Sequence, residues 1–168
     1  FAGNLRGMIR LQSDHDLFYR QSNKLLSLVR SLHPLPAEHQ KLVAEVVMIR
    51  LFMLLETVAE SICCKLCCGA TYLDGTPSLI VRQRSVARAL DSMETFRRLK
   101  PRRARWNDGA GIRENLSELV DEKDHCIQVF LNYASLITEM RYVRNRVAHG
   151  SASARANFRK VVLKYYGG

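Results

Sequence analysis

The sequence predicts an all-α protein, a helical bundle of about five to six helices. Three observations carry this. Apolar residues recur three and four positions apart along most of the chain. Prolines and glycines are few, four and nine, and most fall between those stretches. No run alternates apolar and polar residues as a half-buried strand does. A chain of 168 residues suits one ordinary domain, so a single helical domain over 1–168 is expected.

The first helix spans 4–32, with Leu17, Phe18, Leu25, Leu28, Val29 and Leu32 at helical spacing. His33-Pro34-Leu35-Pro36 ends it, because a proline disfavours helix in the residue before it. A long second helix follows from Ala37 to Cys68, apolar on several faces, as in a central core or dimer helix. Gly69 suits its C-cap, and Leu73-Asp74-Gly75-Thr76-Pro77 reads as a turn. A third helix is expected over Ser78–Leu99, a long basic loop over Lys100–Gly111, and a short helix over Ile112–Val120. A continuous helix over Asp124–Val147 carries Val129, Phe130, Tyr133, Leu136, Ile137, Met140 and Val143, and a last helix covers Ala152–Tyr166.

The net charge is +10, from 26 lysines and arginines against 16 acids, with arginine far outnumbering lysine. Guanidinium matches phosphate bidentately, so this excess points to a polyanion such as RNA. Five cysteines, four of them as Cys63-Cys64 and Cys67-Cys68, argue against a secreted disulfide framework and fit a reducing cytoplasm, with no secretory leader expected. Glu56, Glu60 and Lys65 interrupt the longest apolar stretch, which excludes a membrane span there.

The stretch Arg144-Asn145-Arg146-Val147-Ala148-His149-Gly150 holds the candidate chemistry. It combines a permanent cation, a carboxamide and a titratable imidazole, the groups that handling a phosphate requires. Spacing alone is weak, since Arg10 and His15 reproduce it; there the histidine sits between Asp14 and Asp16 and reads as a solvated helix face. Five residues along a regular helix leave two side chains about 140° apart. Arg144 and His149 therefore meet only if the helix ends near Val147 or another chain completes the site. Gly150-Ser151-Ala152-Ser153 supplies residues suited to such a break.

Arg-Asn-x-x-Ala-His-Gly after a long amphipathic helix resembles the HEPN family, whose signature is Arg, four to six residues, then His, often with Asn directly after the Arg. The resemblance covers Arg144, Asn145 and His149 as a motif and most of the chain as architecture, and the bacterial defence and toxin ribonuclease subgroup is nearest. It implies a metal-independent endoribonuclease without cofactor, usually a homodimer with two motifs facing one cleft, sometimes with an antitoxin or a fused or partner defence protein. His149 is then acid or base, Arg144 the phosphate clamp, and Asn145 an orienting hydrogen-bonder. The alternative is a non-catalytic dimerisation or nucleotide- or RNA-binding module using the same pocket. A purely structural helical protein leaves the arginine excess unexplained.

Other residues are candidates for support. Glu56, on an otherwise apolar helix, either orients Arg144 or His149 or belongs to an exposed stripe or an Arg50 pair. Arg97, Arg98, Lys100, Arg102, Arg103 and Arg105, closed by Trp106, form the densest basic run; such a run either holds an RNA backbone and stacks a base or is a solvated loop. Arg141 and Arg146 flank the motif and widen its phosphate-binding surface. Cys63-Cys64-x-x-Cys67-Cys68 contains a metal-like spacing but lacks a second ligand pair, so it is read as core and no metal is expected.

Overall fold

The computed structural model describes residues 10–79, 83, 85–96, 105–116 and 119–167. Among them it forms seven helices: α1 (Gln12–Arg30), α2 (Ala37–Cys67), α3 (Val86–Phe96), α4 (Gly109–Leu116), α5 (His125–Asn132), α6 (Ala134–Ala148) and α7 (Ala152–Tyr166). The all-α bundle expected from the sequence is what forms. α2 is its axis: α1, α3 and α6 all pack on it, α7 packs on α6, and α4 fills the space against α3, α5 and α6. Among the described residues no helix is long and apolar enough to cross a membrane.

The core lies around the C-terminal half of α2. Cys63, Leu66 and Cys67 have no exposed surface there, and they pack in one cluster with Met93, Ile112, Leu116 and Ile127. The paired cysteines are therefore core residues. Burial pushes the thiols of Cys64 and Cys67 up to about 12, and the Cys63 thiol lies 3.9 Å from that of Cys126 across the α2–α5 contact. α1 is joined to α2 by a polar contact as well as by apolar packing. The Asp14 carboxylate, 6% exposed, accepts from Lys65 Nζ at 2.7 Å and Ser61 Oγ at 2.8 Å. Asp14 is thus no part of a solvated face, although its neighbour His15 is exposed. Leu17, Phe18, Leu28 and Val29, expected to face the core, are 36–46% exposed in the single chain.

The helix ends follow local chemistry. Gly69, with φ +90°, closes α2, its N–H reaching Leu66 O while Ala70 N–H reaches Lys65 O. The Leu73–Pro77 turn forms, fixed by Thr76 N–H on Asp74 Oδ1 at 2.9 Å. Asp124 caps α5 and Ser151 caps α7, each side chain accepting from a backbone N–H of the first turn. The third helix begins at Val86 rather than Ser78, and Leu79 N–H is given to Asp124 Oδ2 at 2.7 Å. Within the expected Lys100–Gly111 loop, α4 already starts at Gly109 and stops at Leu116.

The expected continuous helix over Asp124–Val147 is divided at Tyr133, whose φ of −99° and ψ of 7° are no longer helical. The start of α4 presses on this junction. A Cβ built on Gly109 meets Ala134 Cβ at 2.8 Å and Phe130 O at 2.9 Å, so only glycine allows the approach. Gly109→Ala is expected to cost about 1–3 kcal/mol through overpacking. Chemical denaturation of the variant beside wild type measures this, and an unchanged midpoint would contradict the close contact.

Candidate functional site

α6 carries the Arg–Asn–His motif, and the way it ends decides where each side chain goes. The last helical residue is Ala148. His149 turns extended, with φ −140° and ψ 126°, while its N–H still closes the helix on Asn145 O at 2.8 Å. Ser151 then starts α7 as N-cap. The break lies at His149 itself; Gly150 is not among the described glycines with positive φ and has no atom within 4 Å of a built Cβ. The exposed His149 ring thus leaves the helical spiral, as the spacing from Arg144 demanded.

A cleft of about 380 Å³ between α6 and α7 receives it, lined also by Tyr142, Asn145, Ser151, Ser153 and Asn157. Arg144 does not line this cleft. Its guanidinium lies over the Phe52 ring of α2, 5.9 Å from the ring centre, and its Nε is buried without a hydrogen-bond partner. Nη1, however, donates to Asn145 Oδ1 at 3.0 Å. Asn145 is therefore the link between the two: its carbonyl is held by Arg144, which leaves its NH₂ as the end free to donate to an occupant of the cleft. Asn157 Oδ1 likewise accepts from Lys160 Nζ. With His149, the serine hydroxyls and the first turn of a fifteen-residue helix, the cleft is rich in donors, as an oxyanion site must be.

The other predicted residues separate. Glu56 is half-buried on α2 one turn beyond Phe52, but it makes no hydrogen bond or ion pair among the described residues. It bonds neither Arg144 nor His149, nor does it pair with Arg50. Trp106 is only 6% exposed and belongs to the core cluster, so the base-stacking expected of it is corrected: no face of the indole is free for a base. Arg105 is exposed, with Nη2 3.4 Å from Glu114. Arg97, Arg98, Lys100, Arg102 and Arg103 lie outside the described residues. Arg146 is exposed in the last turn of α6. Arg141 is engaged: Nη1 bonds Asp108 Oδ2 at 2.5 Å, so its charge is neutralised and its share in a phosphate surface is reduced.

Sequence reading missed two groups. Tyr142 lines the His149 cleft and also a second one of about 390 Å³ between α4 and α6. Its position two before Arg144 was the only signal. Asp124 was read as a helix start, yet it is 1% exposed and gathers Tyr72 Oη, Ser78 Oγ, Leu79 N–H and Cys126 N–H. Burial opposes its ionisation, but these hydrogen bonds outweigh burial and hold the carboxyl below its ordinary 3.8. The same environment, burial first and then the bond to Asp124, pushes the Tyr72 phenol up. This cluster ties the 69–79 segment to α5 and is structural. Among the described residues no group of three or more His, Cys, Asp or Glu side chains has the arrangement of a metal site.

No family model, curated protein or solved structure matches the chain. What the site can do is read from its own residues.

Proposed function

We propose that the protein is a HEPN-type, metal-independent endoribonuclease of a defence or toxin system, acting in the cytoplasm as a homodimer. The observation that carries this reading is the arrangement of Asn145. It is held by Arg144 through Oδ1 and shares a donor-rich cleft with His149. The reaction is attack of a ribose 2′-oxygen on the adjacent phosphorus. The 2′-hydroxyl proton goes to a base, the P–O5′ bond breaks, and an acid protonates the departing 5′-oxygen, leaving a 2′,3′-cyclic phosphate. His149 performs one of the two proton transfers, and His149 of a second copy performs the other. Asn145 NH₂ and the start of α7 stabilise the charge on the phosphorane oxygens. Arg144, with a buried Nε that lacks a partner, supplies a guanidinium that is uncompensated in the single chain.

Support for the homodimer comes from the apolar residues that the single chain leaves uncovered, Leu17, Phe18, Leu28 and Val29 on α1 and Val46 and Met53 on α2. The cytoplasmic placement rests on the odd count and adjacent pairing of the cysteines. An antitoxin, or a fused or partner defence protein, belongs to the same reading.

A second reading, a non-catalytic dimerisation or RNA-binding module, is favoured by one observation: Arg144 stacks on Phe52 at the α2–α6 seam instead of facing the His149 cleft. One assay separates the two. Single-stranded RNA and its 2′-deoxy counterpart are incubated with the protein in the presence of EDTA. Cleavage of the RNA alone, with 2′,3′-cyclic phosphate ends, is the expected result. Binding of both without cleavage would establish the second reading, and a requirement for metal would overturn the mechanism.

A further inference from the structure

The clefts on either side of Tyr142 differ in chemistry. On the His149 side the available groups are donors: the NH₂ ends of Asn145 and Asn157, the imidazole and hydroxyls. On the α4 side the walls carry two carboxylates, Asp108 and Glu139, with Arg141, Ser135 and Thr138. Both volumes, about 380 and 390 Å³, lie in the range of small-molecule sites, roughly 300–1,000 Å³. The first offers donors to a phosphate; in the second Asp108 is paired with Arg141 and Glu139 with Lys164, so no net charge draws one. A nucleobase, uncharged and carrying N–H donors, suits the second.

The carboxylates are also fixed in place. Asp108 Oδ1 accepts the Gly111 N–H at 2.6 Å and Oδ2 accepts Arg141 at 2.5 Å. Glu139 accepts from Ser135, Lys164 and, through Oε2, Tyr165 at 2.7 Å, and these bonds hold its carboxyl below the ordinary glutamate value. Each carboxylate oxygen has two acceptor sites, so Asp108 Oδ2 and Glu139 Oε2 can each take one more donor. Asp108 and Arg141 together present a carboxylate acceptor beside guanidinium N–H groups. Guanine offers the matching edge, the O6 acceptor beside the N1–H and N2–H₂ donors; uracil flanks its one donor with two carbonyls. Aromatic rings stack unpaired bases, and Tyr142 lines both clefts, with the Arg141 guanidinium 5.9 Å from its ring centre.

Building on the ribonuclease reading, we infer that the α4–α6 cleft is a base-recognition subsite: Tyr142 stacks the base of the nucleotide whose phosphate lies at His149, and Asp108, Glu139 and Arg141 select guanine. The ligand class is a guanine nucleotide within single-stranded RNA, so the enzyme cuts beside unpaired guanosine.

The test uses guanosine 3′-phosphate and uridine 3′-phosphate, titrated into the intact protein and followed by amide NMR, beside a map of the cleavage positions in a mixed-sequence RNA. Guanosine 3′-phosphate is expected to bind at least about tenfold tighter, the discrimination of one bidentate pair. It should shift amides in 134–142 as well as in 145–157, while uridine 3′-phosphate shifts only the latter. Tyr142→Ala should weaken guanosine 3′-phosphate and Tyr142→Phe should retain it. Glu139→Gln, which keeps an acceptor for Tyr165, should bring the two affinities together, an outcome that loss of structure alone does not produce. Equal affinities in the wild type, or cleavage without regard to guanine, overturns the subsite and leaves the ribonuclease reading standing. Guanine preference in a protein that cuts no RNA overturns the ribonuclease reading and keeps the subsite. If neither mononucleotide binds, the subsite is excluded.

Discussion

His149→Ala is expected to lower RNA cleavage by about 10²–10⁴-fold, the usual contribution of a positioned acid or base. The fold should not change. The ring is exposed and makes no hydrogen bond among the described residues, and the bond that closes α6 runs through its backbone N–H. The measurement is single-turnover cleavage beside a thermal denaturation curve. Undiminished cleavage with an intact fold would place the chemistry elsewhere. Arg144 demands a different design, because truncating it also uncovers Phe52, which has no exposed surface. Arg144→Lys keeps a cation over the ring but loses the planar fork that reaches Asn145. A cleavage loss in this variant, with stability retained, is the signature expected of a clamp acting through Asn145.

The largest stability effect is expected at Asp124, far from any catalytic role. Asp124→Ala leaves the Tyr72 and Ser78 hydroxyls and the Leu79 N–H without their acceptor, while Cys126 N–H keeps Tyr72 Oη, at a cost of about 3 kcal/mol or more. Urea denaturation gives the value, and a loss under about 1 kcal/mol would show that water replaces the carboxylate at little cost. The native carboxyl titrates below its ordinary value. Its contribution is therefore complete above the unfolded aspartate pKa, about 4, and is lost as the pH falls through the lower native value. Wild type should lose stability on acidification below about pH 4. Asp124→Asn, which cannot ionise, should lose less over the same interval.

Where a helix boundary is set by its own residues, the sequence predicted it closely. Pro34 and Pro36, Gly69 and Ser151 each act through backbone conformation or a bond to a neighbour in sequence, so α2 and α7 appear almost as expected. The division at Tyr133 was not legible, because neither a proline nor a glycine marks it. It coincides with the pressure of α4 at Gly109, 24 residues away in sequence. Similarly, Arg105-Trp106 reads as a surface pair, yet the bond from Asn115 Nδ2 to Arg105 O at 2.8 Å folds this segment back on α4 and carries the indole inward. At the site, the need for a helix end between Arg144 and His149 followed from helical geometry alone. That Asn145 would join them, with Arg144 lodged on α2, depends on a contact with Phe52, 92 residues distant.

Trp106 is the only tryptophan in the chain, and its ring sits in the core cluster with residues of α2, α3, α4 and α5. Its intrinsic fluorescence is therefore a built-in gauge of core hydration, read without a label. The indole should emit at short wavelength while the bundle is closed and shift to longer wavelength once water reaches the cysteine-rich end of α2. It lines neither Tyr142 cleft. Ligand titrations monitored at this wavelength should stay flat, and a red shift on adding RNA would reveal that binding loosens the interior.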